Sequence, residues 1–233
     1  MKNKHTFLFT ISFVLLTSFG FAQQVAIDTL KAKPKTLNLR VGVNVLKPII
    51  SAFDENIKGI GLVADVNVYK RFYAALEIGK EEKTSEEEYI NFTTDGTYAK
   101  IGFNYNAYNN WPGMNNDIYV GMRYGISLFN HTLNSYTPNI YGNYFTITEN
   151  TTNIDYNDLN LHWVELVFGL NVETFKNLYL GASMSFNKVI SAKEPTNFKN
   201  LYAPGFGRIY ENQTGFGLNY TVSYKIPLFK KNK

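Results

Sequence analysis

The stretch DIYVGMRYG, Asp117–Gly125, decides the fold, because it reads as a membrane strand with an arginine in its middle. Ile118, Val120 and Met122 suit hydrocarbon, whereas an arginine facing lipid at the midplane costs about 2–4 kcal/mol. Successive side chains of a strand point to opposite faces. Ile118, Val120, Met122, Tyr124, Ile126 and Leu128 then share one face, and Tyr119, Gly121, Arg123, Gly125 and Ser127 share the other. The arginine belongs to a polar face, and the question becomes where that face points.

The stretch has two relatives within the chain, RFYAALEIG (Arg71–Gly79) and NLYLGASMS (Asn177–Ser185). The three recur at intervals of roughly fifty residues, the spacing of a hairpin with its loops. Period-two segments lie before, between and after them. Eight strands are expected, at 37–46, 58–69, 72–82, 96–107, 117–129, 159–174, 178–190 and 214–228. Proline lacks the N–H that a ladder needs. Pro34, Pro48, Pro112, Pro138, Pro195 and Pro204 fall in the expected tail, loops and turns, and Pro227 at a strand end. Connections alternate: short at Lys70–Arg71 and Lys176–Asn177, long after the first, third, fifth and seventh strands. Outer-membrane barrels show this asymmetry.

Every strand sorts in the same way. The first places Leu39, Val41 and Val43 against Arg40, Gly42 and Asn44; the last places Leu218, Tyr220, Val222 and Tyr224 against Asn219, Thr221, Ser223 and Lys225. Periodicity alone allows either face to point inward. The apolar face is extended on all eight strands, and the polar face is rich in Gly, Ser and Asn instead of the Lys and Glu of a soluble surface. The expected arrangement is apolar outward: an all-β, eight-stranded antiparallel up-and-down transmembrane barrel. Its inner face carries Arg40, Asp65, Glu77, Lys100, Arg123, Glu165 and Lys225, with Arg123 expected to face Glu165. An eight-stranded barrel is just wide enough for side chains to fill, so a plugged lumen is expected.

The N-terminus reads as a cleavable secretory signal over 1–22. Lys2 and Lys4 precede the apolar run Thr6–Phe21, and Gly20 and Ala22 supply the small residues of a cleavage site. Cleavage removes Lys2 and Lys4 and takes the formal charge from +4 to +2, too weak a bias for nucleic acid. The expected organisation continues with a flexible segment 23–36, the barrel at 37–229 and a basic tail at 230–233. The chain has no cysteine, which excludes a disulfide framework and a thiolate metal site. No cofactor is expected.

Signal sequence, eight strands, polar lumen and the aromatic C-terminal strand GFGLNYTVSYKIPLF together resemble small eight-stranded outer-membrane barrels of the OmpA/OmpX kind. RVGVNVLKPI, EEKTSEEEYINFTTDGTY, IYVGMRYG and NLYAPGFGRIYEN resemble an uncharacterised Bacteroidota family of outer-membrane proteins. The resemblance implies the outer membrane as location, and the bilayer, lipopolysaccharide and the barrel-assembly machinery as partners. It implies no activity.

Catalytic candidates are few. Some small barrels are lipid-modifying enzymes; outer-membrane lipid A deacylases resemble this chain in strand number and use a histidine with a nearby serine and an acid. HTLNS offers His131 with Thr132 and Ser135 without the His-x-Ser spacing, and His162 stands near Glu165 in sequence. The acidic run Glu81–Glu88 reads as a solvated loop, with divalent-cation binding as the alternative. The expected role is non-enzymatic, structural or surface-interacting, with long loops at 130–157 and 191–212. The alternatives are a lipid-modifying enzyme using His162 and a lipocalin-like barrel with its faces inverted.

Overall fold

The computed structural model describes residues 36–138, 150–196 and 199–230. The expected signal peptide, the segment 23–36 and the tail 230–233, apart from Thr36 and Lys230, lie outside the described residues. Eight strands close into a barrel: β1 (Thr36–Asn44), β2 (Ile57–Tyr69), β3 (Phe72–Glu87), β4 (Ile90–Asn106), β5 (Asp117–Tyr136), β6 (Asn150–Phe175), β7 (Leu178–Ala192) and β10 (Thr214–Lys230). All pair antiparallel in meander order, and β1 pairs with β10 to close the ring. Closure satisfies each strand's backbone on both sides, which a sheet in hydrocarbon requires. A helix α1 (Leu46–Ser51) follows β1, and a small hairpin of β8 (Tyr202–Ala203) and β9 (Gly207–Arg208) interrupts the connection from β7 to β10. Pro48, expected in a loop, sits in the first turn of α1, where a missing N–H costs nothing. Pro227 sits at a register shift between β1 and β10, where the ladder is already broken.

The apolar face points outward. Ile101 is 63% exposed, and Leu62, Met122, Leu170, Met184 and Leu218 form a continuous belt with it. The inner face holds the polar residues, Glu77 at 2% and Asn187 at 0% exposure among them. This is the arrangement of a transmembrane barrel, and it overturns the inverted, lipocalin-like alternative.

Four strands run further than their sequence suggests. The segments 83–87, 90–95, 130–136 and 150–158, expected in loops, continue the ladders of β3, β4, β5 and β6. The third connection shrinks to Glu88–Tyr89, so the acidic run Glu81–Glu88 is mostly strand. The reason is a reversal of phase above the apolar belt. On β5, Leu128 points out and Phe129 in; beyond them Asn130 and Thr132 face out while His131 and Leu133 are buried inside. The period of two persists, but the polar side is now the outer one. At this end the barrel encloses a core of its own: Tyr98, Phe129, Leu159, Leu161, Trp163 and Val189 pack with Ala203 and Phe206 of the β8–β9 hairpin.

Two ends are thus defined. The short-turn end carries both ends of the described chain, the turns Lys70–Arg71 and Lys176–Asn177 and the connection 107–116. The long-loop end carries α1, the tall β3–β6 wall, the connection 137–149 (whose residues 139–149 are outside the described set) and the segment 193–213. Asn177 adopts a positive φ of 67° in its turn, a conformation asparagine tolerates better than most residues.

Candidate functional site: the charged lumen

The inner charges gather in two layers. The first is central. Lys100 on β4 lies 3.0 Å from Glu165 on β6 and 3.8 Å from Glu77 on β3. Arg123 on β5 reaches the same Glu77 at 3.5 Å and donates to Asn104 Oδ1 at 3.3 Å. Neutral donors complete the carboxylates: the Trp163 indole donates to Glu165 at 2.8 Å and the Tyr98 hydroxyl to Glu77 at 3.0 Å. Side-chain exposure in this layer is 11% for Arg123 and at most 4% elsewhere, so its ions are held almost entirely out of solvent.

The register explains who meets whom. Arg123 stands directly opposite Glu165 across β5 and β6, and opposite Gly102 on β4. Lys100 stands opposite Gly125 on β5. Neither glycine has a side chain to block the inner surface. Arg123 passes over Gly102 to Glu77, and Lys100 passes over Gly125 to Glu165. The expected Arg123–Glu165 pair is therefore replaced by two longer crossings. A Cβ on Gly125 would also overlap the Trp163 ring that lies against it.

The second layer lies nearer the short-turn end. Arg40 donates through Nε to Asp65 at 2.9 Å and through Nη1 to Asp117 at 2.7 Å. Asn106 donates to the other oxygen of Asp117 at 2.6 Å, and the Arg40 guanidinium lies 5.1 Å from the centre of the Tyr179 ring. Lys225, expected in the charge set, donates to the Tyr179 hydroxyl at 3.4 Å. Asp117 was absent from the expected set because it opens its strand, where a polar residue reads as a turn. Its outward neighbour Ile118 carries the signal that was available: the period of two places Asp117 on the inner face. With it, the two layers hold four acids, and three cations, Arg40, Lys100 and Arg123, pair with them while Lys225 stands beside Tyr179.

The lumen is narrow. A polar cavity of about 40 Å³ lies between the layers, lined by Arg40, Asp65, Glu77, Asn104 and Arg123. A second, of about 110 Å³, lies at the short-turn mouth beside Tyr73, Asn106, Tyr179 and Lys225. At the opposite mouth the β8–β9 hairpin dips inside the ring. Glu81, buried on the inner face of β3, accepts from the Tyr202 hydroxyl at 2.8 Å and from the Gly205 amide at 3.2 Å. Lys47 approaches the same carboxylate at 3.7 Å. Burial, and then the charge of Glu81, push the Tyr202 phenol far above its ordinary pKa.

The catalytic and cation candidates are dispersed. His162 faces outward, its Nδ1 2.8 Å from the Tyr124 hydroxyl, whereas Glu165 faces the lumen. Odd spacing places them on opposite faces, which ends their pairing as base and acid. His131 is fully buried, hydrogen-bonded to Thr94 Oγ1 at 2.8 Å and Asn200 Oδ1 at 3.2 Å, while its neighbour Thr132 faces out to Asp155. In the acidic run, Glu81 points inward, Glu82 pairs with Lys58 and Glu87 pairs with Arg208. Among the described residues no group of three or more His, Asp or Glu could hold a metal ion.

The family described as Domain of unknown function (DUF6048) matches residues 4–231. The chain belongs to the DUF6048 family. No curated protein matches it. Among solved structures, this DUF6048 member is similar to Ail, the attachment invasion locus protein of Yersinia pestis, at 11% identity and a TM-score of 0.39, over 82% of this chain and 97% of the other. It is likewise similar to Neisserial surface protein A (NspA) at 9% identity and a TM-score of 0.36, over 83% and 96% of the two chains. Neither likeness carries a function to the DUF6048 chain.

Proposed function

We propose that the chain is a non-enzymatic barrel of a Gram-negative outer membrane, closed to ions, with a structural or surface-interaction role. It is exported by the signal peptide and folded by the barrel-assembly machinery, and the Bacteroidota resemblance belongs to the same reading. The observation that supports it best is the central layer of Glu77, Lys100, Glu165 and Arg123, which crosses the lumen with almost no exposed charge. Buried pairs are weak evidence for net stability. They are better evidence about permeation, because an ion crossing here must break charge-assisted bonds between almost wholly buried groups. The outward belt supports the membrane, and the alternation of short turns and long loops supports the outer one. The short-turn end then faces the periplasm and the tall β3–β6 wall stands outside the cell, with lipopolysaccharide around it.

Cell fractionation with heat-modifiable gel migration tests this reading. Recovery in the outer membrane, with the unheated band displaced from the heated one, is expected; a soluble periplasmic protein overturns it. One observation favours a second reading, the lipid-facing His162–Tyr124 pair at 2.8 Å. A lipid A profile altered by expression of the chain and restored by His162→Ala would establish it; an unchanged profile supports the non-enzymatic role.

A further inference from the structure

At the short-turn end, the connection 107–116 is built to hold out an apolar tip. Asparagines fix its sides. Asn110 Nδ2 donates to the Asn116 carbonyl and the Asn116 amide to Asn110 Oδ1, both at 2.7 Å. Asn109 takes the Arg71 guanidinium from the β2–β3 turn. Asn115 donates to Glu173 at 2.7 Å, and Asn116 Oδ1 accepts from the Glu173 amide at 3.0 Å, beside the β6–β7 turn. Between these anchors the chain turns through Trp111, Pro112, Gly113 and Met114, closed by the Met114 amide on the Trp111 carbonyl at 3.0 Å. Trp111 is 72% exposed and Met114 50%. Single exposed apolar residues are ordinary, but an ordered group of them held out by a polar framework marks an interaction surface.

Two observations say what covers it. The first is charge. The turns that the connection ties together carry Lys70, Arg71 and Lys176, and among the described residues none of the three has an acid within ion-pair distance. The cations Lys58, Lys80 and Arg208, towards the long-loop end, instead sit beside Glu82, Asp95 and Glu87 at 3.2–3.3 Å. The second is continuity. Phe72 follows Arg71 directly and meets Tyr105 with ring centres 5.1 Å apart, and both rings are exposed on the outward belt. Tip and cations therefore adjoin the lower edge of the lipid-facing surface. An indole suits the boundary between hydrocarbon and headgroups, and lysine or arginine suits anionic headgroups.

We propose that the short-turn rim is a binding surface for anionic phospholipid headgroups. Lys70, Arg71 and Lys176 hold the phosphates, and Trp111 and Met114 enter the acyl boundary between them. The proposal rests on the membrane-barrel reading above. It does not depend on which end faces the cell, because the rim lies at a bilayer surface either way.

The chain has two tryptophans. Trp163 is fully buried inside the barrel, out of reach of lipid, so quenching by brominated lipid reports Trp111 alone. The purified chain is folded into vesicles, verified by heat-modifiable migration, and read with acyl-brominated phosphatidylglycerol or phosphatidylcholine at equal mole fraction. Both lipids are expected to quench Trp111, phosphatidylglycerol more strongly, and high salt is expected to remove the excess. Lys70→Asn combined with Lys176→Gln is expected to abolish the excess and to keep the quenching by phosphatidylcholine. Both positions are exposed, and asparagine tolerates the positive φ of 45° at Lys70. A Trp111 that neither lipid quenches overturns the proposal and leaves the tip to water or a soluble partner. Equal quenching by the two lipids in the unmodified chain overturns it too, as does an excess that survives in the double variant. Failure of the chain to enter vesicles at all overturns the barrel reading and this proposal with it, whereas the other failures leave the barrel intact.

Discussion

Arg123 and Glu165 face each other across the β5–β6 ladder, and each finds its ion partner two strands away. Arg123 crosses Gly102 to Glu77, and Lys100 crosses Gly125 to Glu165. The crossings interlock β3 to β6 on the inner surface, and among the described residues Lys100 is the only cation that touches both acids.

Lys100 is therefore the member whose loss costs most. Lys100→Met leaves Glu77 supported by Arg123 and Tyr98 but strips Glu165 of its cation. Removing one partner of a buried pair costs about 3–5 kcal/mol. Urea unfolding in lipid vesicles is expected to show a loss of this size, with a substantial part recovered when Glu165→Gln is added. Additive losses in the double variant would deny the coupling.

The second layer ranks its cations differently from their sequence roles. Arg40 holds two carboxylates and Lys225 a tyrosine hydroxyl. Arg40→Met is expected to destabilise the folded barrel strongly, again by about 3–5 kcal/mol. Lys225→Met is expected to change it by about 1 kcal/mol, the worth of an ordinary hydrogen bond. Equal losses in the same vesicle titration would mean that Lys225 carries an ionic role the geometry does not give it.

The outward belt makes a depth-dependent prediction. Met122→Arg places a cation in hydrocarbon, at a cost of about 2–4 kcal/mol. Thr132→Arg, on the same outer face but beyond the belt, is expected to cost about 0–1 kcal/mol. Folding equilibria of the two variants in vesicles check the difference, and a reversed order would place the membrane at the wrong level of the barrel.

The proposed export signal has a direct readout. Intact mass of the chain recovered from the outer membrane is expected to correspond to a start at Gln23. A mass that retains Met1–Ala22 would show an uncleaved anchor.

The lower half of the barrel was legible in sequence because lipid outside and charge inside give every strand the same sense of alternation. Met122 and Arg123 suffice to assign both faces. The upper half was not. Beyond Leu128 the outer face meets water, so Asn130 and Thr132 turn outward and Phe129 and Leu133 inward, and a reversed alternation looks like the end of a strand. The acidic run Glu81–Glu88 misled for the same reason: Glu82 faces out to Lys58, while Glu81 faces in and anchors Tyr202. Ion partners were legible only as a set. Cross-strand position follows from register, but the choice of Glu77 by Arg123 depends on which neighbours are glycine.

Single-channel recording in planar bilayers tests the closed lumen most directly. Purified barrel, verified as folded by heat-modifiable migration, is expected to give no steady conductance at neutral pH. Large, sustained single-channel currents from the unmodified chain would contradict the proposal that Lys100 and Arg123, holding Glu77 and Glu165 across the barrel, close the lumen.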